Sequence, residues 1–161
     1  MCVCYANMPA IPSRHIFYLI YISTATKLMS KEELHSLLEQ SRRNNEQYGI
    51  TGMLLYMQAR FRNKLDGRFM QLLEGREREV RDIYERIQRD DRNHHVMHLA
   101  SGYEKKRSFE DWSMGFKAID EHSAISVSGY FQLEDSFLKR AIDTPSHLNF
   151  LRSFYQVNRQ K

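Results

Sequence analysis

The chain has 161 residues, 42% of them hydrophobic and 12% aromatic, with a net charge of +4. That is enough chain to bury a core as one domain, and it excludes compositional disorder. The only two cysteines, Cys2 and Cys4, stand together at the N-terminus and suggest no disulfide framework, which favours a reducing, cytoplasmic setting.

Residues 1–15 read as a flexible lead; they lack the basic and apolar stretches of a secretory signal. No apolar run in the chain has the length of a membrane span, so no membrane partner is expected. FYLIYIS (17–23) is aromatic and β-branched and predicts a buried strand. Ser30 opens a helix: S-K-E-E places Ser30 as N-cap and Glu33 three positions on, a capping box. Leu34, Leu37, Leu38 and Ser41 follow at helical spacing, and Asn45 falls on that same inward face before Gly49 ends the segment.

GITGMLLY (49–56) and GRFMQLLEG (67–75) are the second and third strands. The polar stretch between them, closed by Asp66-Gly67, predicts an antiparallel hairpin across a long loop. Residues 76–92 carry Val80, Ile83, Tyr84 and Ile87 as the apolar stripe of a second helix. VMHLASGYEKK (96–106) and FEDWSMGFKAI (109–119) read as two further strands joined by a basic turn. DEHSAISVSG is small and polar, a linker, and LEDSFLKRAI (133–142) and SHLNFLRSFYQ (146–156) are short amphipathic helices.

The order β-α-β-β-α-β-β predicts an α+β, ferredoxin-like sandwich: a mixed five-stranded sheet, two helices on one face, and two short C-terminal helices. The expected divisions are a lead over 1–15, a domain over 16–119 and a helical extension over 120–161. The basic residues are dispersed at 42–43, 60–64 and 105–107 and mixed with acids, a solvated surface and not a nucleic-acid stripe.

Dinucleotide, phosphate-loop, serine-hydrolase and zinc-protease motifs are all missing from the sequence. His94, His95 and His98 cluster at a helix-to-strand turn, but no third or fourth ligand stands near them in sequence; solvent-facing imidazoles are the better reading, and no metal is expected. What remains is a set of polar side chains on faces that should be buried. Tyr21 and Ser23 share a face with Leu19, Asn45 lies inward on the first helix, and Gln71 shares a face with Phe69 and Leu73. Each alone is explained by ordinary packing: a buried phenol on a carbonyl, an amide at a helix end, a glutamine on an edge strand. Together they describe an apolar slot with a few amide and phenol groups, suited to a planar ligand edge of alternating C=O and N–H.

From about Phe17 to Phe116 the chain resembles the BLUF family, blue-light sensors that use flavin. The resemblance is carried by LIYIS (19–23), SRRNN (41–45), GITGMLLY (49–56), GRFMQLLEG (67–75), RIQRDDR (86–92) and FEDWSMGF (109–116), in this order and spacing. It implies FAD, with FMN the alternative, held between the two helices with its ring near the sheet. It further implies that Tyr21 gives an electron and a proton to the excited flavin, and that Gln71 is the amide bridging this phenol to the flavin edge. Asn44 and Asn45 would bond the ring carbonyls and N3, Arg86 and Asp90 on the second helix would lie beside the ring, and Leu37 and Ile87 would form its walls. Trp112 and Met114 would couple the pocket to output.

Three features depart from the family pattern: Asn93 where His is frequent, Leu37 where Ile is common, and a connection over about 58–66 longer than the usual tight hairpin. That extra length is expected to be a longer surface loop. The C-terminal helices resemble the tail of short single-domain members, so the chain is expected to be a photoreceptor and no enzyme. It would signal through strand five and residues such as Phe137, Leu148, Leu151 and Tyr155 to a downstream protein partner or a homo-oligomer. Two other readings compete. A ferredoxin-like RNA-binding or protein-interaction module needs exposed aromatics on the central strands, and the sheet strands lack the RNA-binding pattern. A small flavin reductase needs a nicotinamide site, for which nothing in the sequence speaks.

Overall fold

A computed structural model describes residues 15–61, 64–109, 115–120 and 123–127. The elements are β1 (Ile16–Ala25), α1 (Lys31–Gln47), β2 (Thr51–Phe61), β3 (Lys64–Gly75), α2 (Glu77–Gln88), β4 (Asn93–Glu104), β5 (Gly115–Asp120) and β6 (Ser123–Val127). They form one sheet in the order β4-β1-β3-β2-β5-β6. All neighbours pair antiparallel except β2 and β5, which run parallel, so the fold is α+β with a mixed sheet.

Alternation along β1 and β3 sorts side chains to two faces. One face carries Phe17, Leu19, Tyr21, Leu54, Tyr56, Phe69 and Leu73, packed against Leu34 and Leu38 of α1 and Val80 and Ile83 of α2. The other carries Ile20, Met53, Leu55, Met57, Met70 and Leu72, joined by Phe109. Both helices therefore cover the same face, as their amphipathic stripes require. At the start of α1, the Ser30 N–H donates to Glu33 Oε2 at 2.8 Å and the Glu33 N–H donates to Ser30 Oγ at 3.2 Å, completing the capping box. Its last turn ends at Tyr48, and Gly49 follows with φ of +62°, a conformation that suits glycine.

Several boundaries differ from the sequence-based expectation. The sheet has six strands among the described residues, not five: part of the stretch expected to be a linker pairs with β5 as β6. The expected long loop between the second and third strands is ladder instead. Pairing continues from Met57↔Arg68 through Ala59↔Asp66 to Phe61↔Lys64. β1 follows β3 only as far as Thr24↔Arg68, and β5 follows β2 only to Met57↔Ile119, so the hairpin runs on past both flanking strands. Asp66-Gly67 is not its turn. Gly67 sits inside β3, where a Cβ would lie 2.4 Å from the Tyr56 hydroxyl, so its bare backbone admits that ring. The Tyr56 hydroxyl in turn accepts from the Met29 N–H at 3.0 Å, fastening the β1–α1 connection to the sheet.

The second helix stops at Gln88 and is capped by Arg89, shorter than the expected 76–92. Asp90 therefore lies in the turn after α2 and not on the helix. That turn is held to the end of β1, where Thr26 donates its N–H to the Arg92 carbonyl at 3.0 Å and its hydroxyl to the Asp91 carbonyl at 2.6 Å. β4 begins at Asn93, earlier than expected, and β5 begins only at Gly115. Trp112, Met114, the lead over 1–14 and the expected C-terminal helices with Phe137, Leu148, Leu151 and Tyr155 lie outside the described residues.

Candidate functional site

The period of two on β3 puts Gln71 under the helices between Phe69 and Leu73. β3 is flanked on both sides, by β1 and β2, so Gln71 is on no edge; it is 4% exposed. The register pairs Tyr21 directly with Gln71 across β1 and β3. The Tyr21 hydroxyl donates to Gln71 Oε1 at 2.5 Å. Burial, with smaller contributions from Asp90 and Tyr84, drives the phenol far above its ordinary value, so Tyr21 is a neutral donor. Its ring packs against Tyr84 of α2, with centroids 5.6 Å apart.

Above this pair opens a slot between α1, α2 and the sheet, with about 750 Å³ of empty space, its mouth included. Tyr21, Ser23, Leu54, Phe69 and Gln71 line it from the sheet. Leu37, Gln40, Ser41, Asn44 and Asn45 come from α1, Ile83, Arg86 and Ile87 from α2, and Asp90, Arg92 and Asn93 from the turn beyond. Of the residues singled out in the sequence, Tyr21, Leu37, Asn44, Asn45, Gln71, Arg86, Ile87 and Asp90 are thus brought to one cavity.

Three polar atoms in this wall are buried without a hydrogen-bond partner: Ser23 Oγ, Asn45 Nδ2 and Asn93 Oδ1. Leaving such a group unpaired costs about 1–3 kcal/mol. A fold that keeps three of them around one slot fits a ligand that brings the missing partners. Leu37 and Ile87 stand on opposite helices and supply apolar walls for a flat ring. The donor set of amide, hydroxyl and phenol suits an edge of carbonyls and N–H groups, as a flavin presents.

The mouth is organised by a residue that the sequence reading passed over. Arg92 binds Asp90 through Nε, at 2.9 Å to Oδ1, and through a terminal nitrogen at 2.5 Å to Oδ2, while its other terminal nitrogen donates to Gln40 Oε1 at 2.7 Å. It thereby bridges the exit of α2 to α1. Arg92 beside it holds the Asp90 carboxyl below the usual carboxylate range. Arg86 is turned to the rim, donating to the Tyr48 hydroxyl at 3.2 Å with its guanidinium 5.1 Å from that ring. Ser23, read from the strand as sharing the face of Tyr21, also lines the slot. Arg92 was the missed member: it lies in the run RDDR, which looks like any solvated helix end. His94, His95 and His98 are exposed, and among the described residues no group of His, Cys, Asp and Glu could hold a metal.

A family model described as BLUF, sensors of blue-light using FAD, matches residues 16–115. The photoactivated adenylate cyclase subunit beta-like protein FB of Euglena gracilis is 37% identical over 84 residues, 51% of this chain and 9% of that protein. The photoactivated adenylate cyclase subunit beta of Euglena longa is 32% identical over 97 residues, 60% of this chain and 10% of that one. The chain thus spans about a tenth of the length of these curated relatives. Among solved structures, a bacterial light-regulated adenylyl cyclase superposes with a TM-score of 0.60 at 28% identity, covering 89% of this chain and 35% of its own. BlrB, a BLUF protein in its dark state, superposes with a TM-score of 0.56 at 25% identity, covering 65% of this chain and 74% of its own.

Proposed function

The chain belongs to the BLUF family, sensors of blue light using FAD, and on that premise we propose that Tyr21 and Gln71 are its light-switched pair. The observation that carries this reading is the 2.5 Å hydrogen bond from the Tyr21 hydroxyl to Gln71 Oε1 at the floor of a slot with unpaired polar atoms in its wall. Asn44, Asn45, Arg86 and Asp90 would hold a flavin, with Leu37 and Ile87 against its ring; the flavin supplies light absorption and redox chemistry when bound.

The role of the protein is to hold one proton and one amide in two arrangements. Tyr21, neutral and buried, would be the donor of one electron and one proton to a bound, light-excited flavin, from which it would take both back. While Tyr21 donates, Gln71 offers Oε1 to it and directs its NH₂ away from the phenol. Turning the amide by half a rotation, or tautomerising it, presents the opposite edge. A change of one hydrogen bond in a dry pocket is enough to bias a two-state element. The signal then leaves through β5 and the chain beyond it to a protein partner, in a sensor that consumes no substrate. The relatives named for light-regulated cyclases show that light can be read out by an attached activity in those proteins.

The test is one absorption spectrum. FAD-loaded protein should show a small, dark-reversible red shift after blue light. Gln71→Leu and Tyr21→Phe should keep the colour and lose the shift; a normal photocycle in either variant removes that residue from its role. Releasing the chromophore and separating FAD from FMN by chromatography identifies the flavin. The RNA-binding alternative is disfavoured by Tyr21, Tyr56 and Phe69, which the helices bury, so these aromatics of the central strands offer no stacking platform.

A further inference from the structure

Glu74 lies three residues beyond Gln71 on β3 and so faces the opposite side of the sheet. It is fully buried, and its carboxylate accepts from the Ser108 N–H at 2.9 Å and from the Phe109 N–H at 3.1 Å. Phe109 is itself buried in the cluster of Ile20, Met53, Leu55, Met57, Met70 and Leu72. One residue earlier, the guanidinium of Arg107 donates to the Glu74 carbonyl and the Gly49 carbonyl, each at 2.7 Å, and to Thr51 Oγ1 at 2.8 Å. Residues 107–109 are therefore fastened at five points to the end of β3 and the start of β2. They are the last described residues before β5, which pairs with β2 from Gly115.

We propose that Glu74, assisted by Arg107, is a positioning residue that clamps the outgoing segment at Ser108–Phe109 to the strand carrying Gln71, so that a change in the pocket reaches β5. The proposal rests on the light-sensing reading above for the change that is transmitted, and on the hydrogen bonds alone for the clamp. A carboxylate suits the place: Oε2 accepts from both N–H groups and Oε1 from that of Ser108, so both oxygens meet donors, whereas an amide would turn its NH₂ toward the Ser108 N–H or give up that contact. The burial of a charge-bearing side chain is costly and pushes this carboxyl above its usual range, and the Ser108 and Phe109 donors act against that cost. Residues 107–109 form a packed, bonded unit, and such a unit shifts between discrete arrangements and does not deform continuously.

The experiment compares the full chain, FAD-loaded, with its Glu74→Gln and Arg107→Gln variants by absorption and by amide hydrogen exchange, dark and lit. In the unaltered protein, light should change exchange at Ser108, Phe109 and residues 115–120. Glu74→Gln should keep the red shift but alter the dark-recovery time by about fivefold or more. Its exchange at those amides should also be the same in dark and light. A residue needed only for stability would lower the melting temperature and leave the light-dark difference in place, which would overturn the proposal. If Glu74→Gln does not fold, Arg107→Gln, at the more exposed partner, decides in the same way. If the unaltered protein shows no red shift, the light-sensing reading fails instead. The clamp is then judged in the dark alone: selective loss of protection at Ser108 and Phe109 in Glu74→Gln upholds it, and unchanged protection overturns it.

Discussion

The surroundings of Gln71 and of Glu74, on opposite faces of β3, treat buried polar groups in opposite ways. Under the helices, Ser23 Oγ and Asn45 Nδ2 are enclosed and partnerless beside the Tyr21–Gln71 pair. On the other face, Glu74 is just as enclosed but accepts from both neighbouring N–H groups, within a cluster that is otherwise apolar. The polar set beside Gln71 is unfinished and the one at Glu74 complete. An unfinished set of hydrogen bonds marks where a ligand completes the fold; a complete one marks where the fold holds itself. The distinction is sharper than burial, since Gln71 and Glu74 are both nearly inaccessible.

The largest expected effect lies on the face of Glu74. Leu72→Ala, at a site with no exposure, should lower unfolding free energy by about 2–5 kcal/mol in a denaturant titration. The same loss should appear with or without FAD, because Leu72 packs on the face away from the slot. Glu74→Ala comes next: it strands the Ser108 and Phe109 N–H groups and should cost about 1–3 kcal/mol by the same measurement. Ser23→Ala, in the unfinished set, should behave in reverse. Flavin-free protein should be unchanged or more stable by up to about 1 kcal/mol, since a partnerless hydroxyl is removed. The gain in melting temperature on adding FAD should shrink. A clear loss of flavin-free stability would mean that Ser23 is already satisfied, and the contrast between the two sets would weaken.

Asp90→Asn should have the smallest effect, under about 1 kcal/mol, because the Asp90–Arg92 pair is partly exposed and screened. Arg92 lowers the folded-state value of this carboxyl. Its contribution is therefore present at neutral pH, above the ordinary carboxylate value, and is lost as pH falls through the lowered one. Stability curves of the two proteins should converge toward acid; curves that stay parallel would show that the pair contributes nothing through its charge.

Much of the architecture was legible because local signals and the global fold agree. Ser30 and Glu33 announced the first helix, and the spacing from Leu34 to Asn45 put the amide on its inward face. Strand alternation placed Tyr21 and Gln71 on sides that could meet. It did not say whether Gln71 stood at an edge, since order across a sheet is set by tertiary pairing and not by the strand's own pattern. The hairpin beyond residue 57 was misread as a loop for a related reason. A two-stranded ribbon that outruns β1 and β5 has no third strand beside it among the described residues, so it need carry no alternation to announce itself. Asp66-Gly67 added a false turn signal, its glycine being required by the Tyr56 ring. β6 was hidden in a small, polar run. Arg92 was obscured because charge at a helix end has the same composition whether it is solvated or bridging two helices. Glu74 went unnoticed because its partners are backbone N–H groups of residues 108 and 109, which leave no mark in side-chain chemistry.

The alternation on β3 also restricts how a gene for this chain can change in length. A single residue inserted or deleted between Gly67 and Gly75 would exchange the two faces of every position past it. One placed before Gln71 would take Gln71 and Glu74 from their partners together, and one between them would take only one. The tip of the hairpin has no such restriction. Residues gained there as one per strand lengthen both arms and leave the numbering of faces nearer the sheet untouched. Length variation is thus channelled to the one end of β3 where neither β1 nor β5 is alongside to register it.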